Sequence, residues 1–186
     1  MWIPFAVIGG IILVIIVAVI SIYNSLVRLR NQVDNAWSQI DVQLKRRHDL
    51  IPNLVETAKG YMTHERDTFE SITKARSQAM GAQGAAEASK AEGMLSEALS
   101  KFMLVVENYP ELKANENFLS LQETLTSTEN KIAFARQSYN DQVLSFNNKI
   151  QMFPSSIIAG MFRFAARDFF EVEIAPEREV PKVSFS

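Results

Sequence analysis

Apolar residues dominate the start of the chain and then become periodic. From Ile3 to Ile22 the sequence reads IPFAVIGGIILVIIVAVISI, and no charged side chain occurs before Arg28. About 20 residues at 1.5 Å each match the roughly 30 Å hydrocarbon layer of a bilayer. In lipid the backbone finds no outside partner, so such a segment must satisfy itself as a helix. Trp2 and Tyr23 bracket the stretch, the place of interfacial aromatics. The pattern predicts a membrane-spanning helix over residues 1–23 that carries Ile3, Ile11, Val14, Val17, Ile20 and Tyr23. A cleaved leader fits less well: no basic residue precedes the apolar run, the run is long, and no small-x-small site follows it. Arg28 and Arg30 follow the span. The positive-inside rule therefore puts the remainder on the cytoplasmic side of the membrane, with the opposite, outer side as the alternative.

From Val33 onward the period changes. Val33, Trp37, Ile40, Leu44, Ile51, Leu54, Ala58 and Tyr61 alternate steps of four and three, a heptad seam in which Arg47 fills the one missing position. The first helix is expected to run from the span to about Lys59, with Gly60 as a left-handed cap and a kink at Pro52, whose ring meets the carbonyl of His48. A second helix is expected from Thr63 as N-cap with Glu65 in its first turn, presenting Phe69, Ile72, the stem of Arg76 and Ala79. Met80–Ala86 reads as a small-residue connector. A third helix presents Ala91, Leu95, Ala98, Phe102 and Val105, and Asn108-Tyr109-Pro110 ends it. Asn115 caps a fourth helix with the longest seam: Phe118, Leu121, Leu125, Thr128, Ile132, Ala135, Tyr139, Val143, Phe146 and Ile150. That helix spans on the order of 54 Å.

These elements predict an all-α fold: a transmembrane helix continuing into an antiparallel bundle of about four long helices over residues 24–153, followed by a short C-terminal helix and an extended tail over 154–186. The first and fourth helices are long and the second and third short. Alternating directions then return residues near Phe153 to the membrane surface. Antiparallel pairing of the first and fourth helices sets Arg46 or Arg47 near Glu129 and Asp41 near Arg136, as cross-helix ion pairs or as solvated surface charges. Asn140, Asn147 and Asn148 are poor helix-interior residues and are candidates for side-chain bonds across helices or subunits.

The segment after Pro154 is short, apolar and rich in phenylalanine. Ile157, Ile158, Phe162, Arg163, Phe164, Arg167, Phe169 and Phe170 form a candidate contact surface. Three readings stand: closure of the bundle as core, a place in the membrane interface with Arg163 and Arg167 at headgroups, or a subunit contact. Ser155-Ser156 reads as a helix cap. The tail Glu171–Ser186, with Pro176 and Pro181, is expected to be extended and suited to adding a strand to a partner.

Composition narrows the chemistry. The net charge is −2 among 186 residues, which gives no basic surface for nucleic acid. The absence of Cys excludes disulfides, thiolate ligands and thiol nucleophiles. His64-Glu65 would open a zincin motif only with a second His at position 68, which is Thr68. His48-Asp49 lacks the further ligands of a phosphohydrolase, and no Glu-x-x-His pair suits a di-iron bundle. No phosphate loop, nucleophile elbow or dinucleotide fingerprint is present. No cofactor is expected, no catalytic residue is assigned, and the chain reads as a non-enzyme.

The run from Ala36 to Val55, AWSQIDVQLKRRHDLIPNLV, resembles the signature of the bacterial LemA family. So do Gly60-Tyr61 with His64-Glu65, Tyr109 to Phe118, Thr128-Glu129 through Ala135-Arg136, Tyr139-Asn140, Phe153-Pro154 and Phe169-Phe170-Glu171. The resemblance implies one N-terminal transmembrane helix and a helical bundle domain of unestablished biochemical function. Some family members are linked to magnetosome membrane formation and others sit beside membrane peptidase genes. The sequence departs from common relatives in Met161-Phe162-Arg163-Phe164, where a glycine is frequent before the phenylalanine. Residues and resemblance together suggest a membrane-anchored scaffold that self-associates or organises other membrane proteins. A membrane-proximal signalling or adaptor module is the alternative, and a hydrolase accessory ranks behind both. Expected partners are the lipid bilayer, a second copy of the chain and other membrane proteins, with no nucleic acid.

Overall fold

The computed structural model describes residues 2–171; the tail expected to be extended lies outside them from residue 172. Every regular element among the described residues is helical: α1 (Ile3–Lys59), α2 (Arg66–Gly81), α3 (Gly84–Val106), α4 (Pro110–Lys113), α5 (Glu116–Gln151) and α6 (Ser155–Met161). By contacts the described chain divides into two units. One comprises residues 2–41 with 133–169, the other 42–132 with 170 and 171.

In the first unit, α1 begins as the one helix among the described residues that is long and apolar enough to cross a membrane. Its early side chains meet no protein: Ile3, Val14 and Val17 are all more than half exposed. Burial begins at Leu26 and continues through Val33, Ala36 and Ile40, while α5 buries Ala135, Tyr139, Val143 and Phe146. The two helices run antiparallel. Ile150 of α5 and Val19 and Ile22 of α1 pack against one cluster that contains Leu26, and the Trp37 and Tyr139 rings lie 5.4 Å apart. After a cis Phe153–Pro154 peptide, α6 folds back so that Ile158 and Ala159 seat on Leu26. Ser155 is the first residue of α6 and makes no side-chain cap, contrary to its expected role; Pro154 holds the cap position.

The chain then turns through Arg163, whose φ of 56° lies in the left-handed region. A β-carbon there crowds the following carbonyl, which explains why glycine suits this place. The return segment is fixed by side chains that imitate strand pairing. Asn147 Nδ2 donates to the Arg167 carbonyl and the Arg167 N–H donates to Asn147 Oδ1, both at 2.9 Å. Arg167 reaches Asp34 at 2.8 Å, and the Tyr139 hydroxyl donates to the Asp168 carbonyl at 2.9 Å.

In the second unit, Ile51, Leu54, Ala58, Ile72, Leu95, Phe102, Leu112 and Phe118 form one core. Phe102 sits 6.2 Å from Phe69 and 6.3 Å from Phe118 by ring centroids. The seam holds to Ala58 and then slips: Met62 is buried and Tyr61 exposed. The slip follows from how α1 ends. Tyr61 N and Met62 N both donate to the Ala58 carbonyl at 2.9 Å, and Gly60 is not left-handed; the glycine with positive φ among the described residues is Gly84, at 77°. Thr63 is not the N-cap of α2, which starts later, at Arg66. Glu65 stands at the cap position and instead accepts from the Tyr109 hydroxyl at 2.9 Å. The expected connector is mostly helix, since Met80 and Gly81 close α2 and Gly84 opens α3. Pro110, pre-set for a helical first turn, starts the extra turn α4. Asn115 caps α5 as expected, its Oδ1 accepting from Phe118 N at 3.0 Å.

Candidate functional site

The polar residue in the α1 seam leads to the most deeply buried charges of the second unit. Arg47, at a d-like seam position, would leave a guanidinium in the core without a partner. Its Nη1 lies 3.1 Å from Glu92 Oε2 on α3 and 3.2 Å from Glu129 Oε2 on α5, and Nη2 donates to Ser96 Oγ at 2.8 Å. The next residue, His48, places Nε2 2.5 Å from the other Glu92 oxygen. Arg47, His48 and Glu92 are each less than a tenth exposed, whereas the Glu129 side chain is 52% exposed. One carboxylate thus binds two neighbours on α1 at once and fixes the rotation and height of α3 against it.

The backbone next to the cluster has its own break. Pro52 lies inside α1 and has no N–H for the carbonyl four residues earlier. That carbonyl belongs to His48, and Arg76 Nε of α2 donates to it at 2.7 Å. A side chain from a second helix therefore closes the gap in the ladder, as buried carbonyls require.

Within the cluster Ser96 Oγ accepts from Arg47 Nη2, and Glu92 meets both Arg47 and His48. Among the described residues no group of three or more His, Asp or Glu side chains is placed to hold a metal ion. Arg47, Ser96, Met103, Leu125, Thr126 and Glu129 line a groove of about 610 Å³, with the guanidinium at its floor already neutralised by two carboxylates.

Among the other residues singled out from sequence, Asp41 and Arg136 are not one of the ion pairs of the described residues, which leaves them to the alternative of separate surface charges. Ile40 occupies the seam, so Asp41, one position on, faces solvent. Ile158, Phe164 and Phe170 turn inward, the last 1% exposed, while Ile157 is 55% and Phe162 50% exposed. Phe169 is half-buried and Arg167 is held by Asp34. Glu92 and Ser96 did not stand out in the sequence, and His48 stood out only through the His48-Asp49 pair, not as a partner of a buried carboxylate. The signal was indirect: a seam arginine demands a carboxylate, and Ser89, Glu92 and Ser96 form a polar stripe beside the apolar face of α3.

Residues 36–185 match the sequence profile of the LemA family. The chain is similar to Protein LemA of Metamycoplasma hominis, 26% identical over 161 residues that cover 86% of this chain and 71% of that protein. It is also similar to Magnetosome protein MamQ 2 of Paramagnetospirillum magneticum and Magnetosome protein MamQ of Magnetospirillum gryphiswaldense. Each is 22% identical over 184 residues, covering 85% of this chain and 68% of the relative.

Proposed function

The chain belongs to the LemA family, and from that premise we propose that it is a non-enzymatic scaffold, held in a bacterial membrane by Ile3–Tyr23, that self-associates or gathers other membrane proteins. The observation that carries this reading is the continuity of α1. A single helix passes without a break from an exposed apolar stretch into a packed helical unit, so the bundle is tied to its anchor without a linker. Tethering in a plane raises effective concentration and favours assembly. A β-carbon added at Gly9 or Gly10 would meet no protein atom within 4 Å, which leaves α1 open to close approach by another span. The neutralised charge cluster supports a rigid register more than a reaction. The magnetosome names of some relatives suit the organisation of a cellular structure better than turnover of a substrate. The cytoplasmic side of the inner membrane is the proposed location of the bundle, from Arg28 and Arg30.

The test is native mass spectrometry of the full chain released from nanodiscs. Multimers or a stoichiometric membrane-protein partner are expected. A strictly monomeric species with no co-purifying protein contradicts the scaffold reading. The adaptor reading draws on one feature, the helix interruption at Pro52 bridged by Arg76. If Pro52→Ala leaves partner binding unchanged, α1 does not transmit a state through that point.

A further inference from the structure

Resting on the anchor reading, we propose that α6 with its flanking residues is a second membrane contact, an interfacial foot that lies in the leaflet where the span of α1 emerges, with Arg163 on lipid phosphates. Depth is the first support. α6 packs through Ile158 and Ala159 on a cluster that includes Val19, Ile22 and Leu26, and the Phe162 ring stands 4.7 Å from Tyr23. Val19 and Ile22 belong to the apolar run itself. From Val19 to Tyr23 the helix rises about 6 Å, the depth at which interfacial helices rest. A helix seated on those side chains meets the bilayer wherever the span is inserted.

Exposure is the second support. Met152 is 61%, Phe153 81%, Ile157 55%, Met161 70% and Phe162 50% exposed. They lie on and beside one short helix, contiguous with the equally exposed apolar side chains of the span. The bilayer required by the span already covers this surface, and no second molecule is needed to do so.

Arg163 is the third support. Its side chain is exposed, has no ion-pair or hydrogen-bond partner among the described residues, and extends from a left-handed backbone that an arginine adopts at a cost. Two other cations nearby are occupied: Arg167 by Asp34 and Arg30 over the Phe164 ring at 5.5 Å. A free guanidinium beside apolar side chains at the interface has the geometry to bind phosphate oxygens while the rings enter the acyl boundary.

The chain has no cysteine, so single-cysteine variants of the full protein can each carry an environment-sensitive fluorophore in vesicles of phosphatidylethanolamine and phosphatidylglycerol. Labels at Ile157→Cys, Met161→Cys and Phe162→Cys are expected to emit blue-shifted and to be quenched by lipids spin-labelled near the headgroup. A label at Val14→Cys is expected to be quenched by lipids labelled deep in the chain, and one at Ser127→Cys by neither. Arg163→Gly is expected to weaken the shallow quenching at Phe162→Cys when phosphatidylglycerol is present and to leave Val14→Cys unchanged. Quenching at Val14→Cys with water-like emission at the α6 positions overturns the foot and leaves the anchor standing. A blue shift at α6 without lipid quenching overturns it in favour of contact with a second copy. Loss of quenching at Val14→Cys overturns the anchor and the foot together.

Discussion

Arg47 shows how much one residue reveals about a helical core and how much it withholds. A cation at a seam position was visible in the spacing, as was Glu129 opposite it. Glu92, the buried partner, was not, because a glutamate in a helix of alanines and serines reads as surface until the packing of α3 is known. Glu92→Gln removes one charge from a buried set and is expected to cost about 3–5 kcal/mol in urea unfolding. Glu129→Gln, at a half-exposed position, is expected to cost about 0–1 kcal/mol. Replacing Arg47 by Met and Glu92 by Leu together is expected to be far milder than either single change. Arg163 gives the opposite sign. Arg163→Gly removes a left-handed β-carbon and is expected to raise stability in detergent by about 1 kcal/mol even though it weakens lipid contact. Tyr139 supplies a pH dependence. Burial pushes its phenol above the ordinary value, so the folded state holds that proton more tightly than the unfolded one. The stabilisation is complete below a pH of about 10 and fades as pH rises through the folded value. The stability difference between the native protein and Tyr139→Phe is therefore expected to be flat at neutral pH and to shrink in alkali.

At the scale of elements, period carried most of the information and boundaries the least. Every seam position named for the fourth helix is buried or half-buried in α5, because a 3.6-residue repeat leaves a long helix only one face to bury. The ends were decided by particular bonds, distant and local, that periodicity does not encode. Glu65 leaves the first turn of α2 to meet Tyr109, and α1 ends on a shared Ala58 carbonyl rather than on a left-handed Gly60. The Asn147 clamp on Arg167 likewise depends on a return segment that no periodicity describes. Pro52 was legible as an interruption, but its remedy on α2 was not. That remedy is testable by a double-mutant cycle. Arg76→Met is expected to cost about 1.5–3 kcal/mol, the range for a charged hydrogen bond to a buried carbonyl. In the Pro52→Ala background, where residue 52 supplies the missing N–H, the cost is expected to fall well below that. Additive effects would mean that Arg76 does not serve the carbonyl freed by proline.

For the whole molecule, the all-helical class and the single apolar span followed from length and period alone, and the family followed from long motifs outside any active site. The partition of contacts into two units was not legible, since α1 and α5 each run through both without a composition shift. The residues with the plainest motif, His48-Asp49 and His64-Glu65, turned out to bond within the bundle or to face solvent, while exposed apolar side chains beyond the span gather on and beside α6, at Ile157, Met161 and Phe162. The proposed function requires that Ile3–Tyr23 stays in the protein and in lipid. The direct measurement is the intact mass of the native chain recovered from carbonate-washed cell membranes. A mass that includes the whole apolar stretch, in material released only by detergent, is predicted. A full-length chain in the soluble fraction, or a membrane-free product trimmed beyond Tyr23, contradicts it.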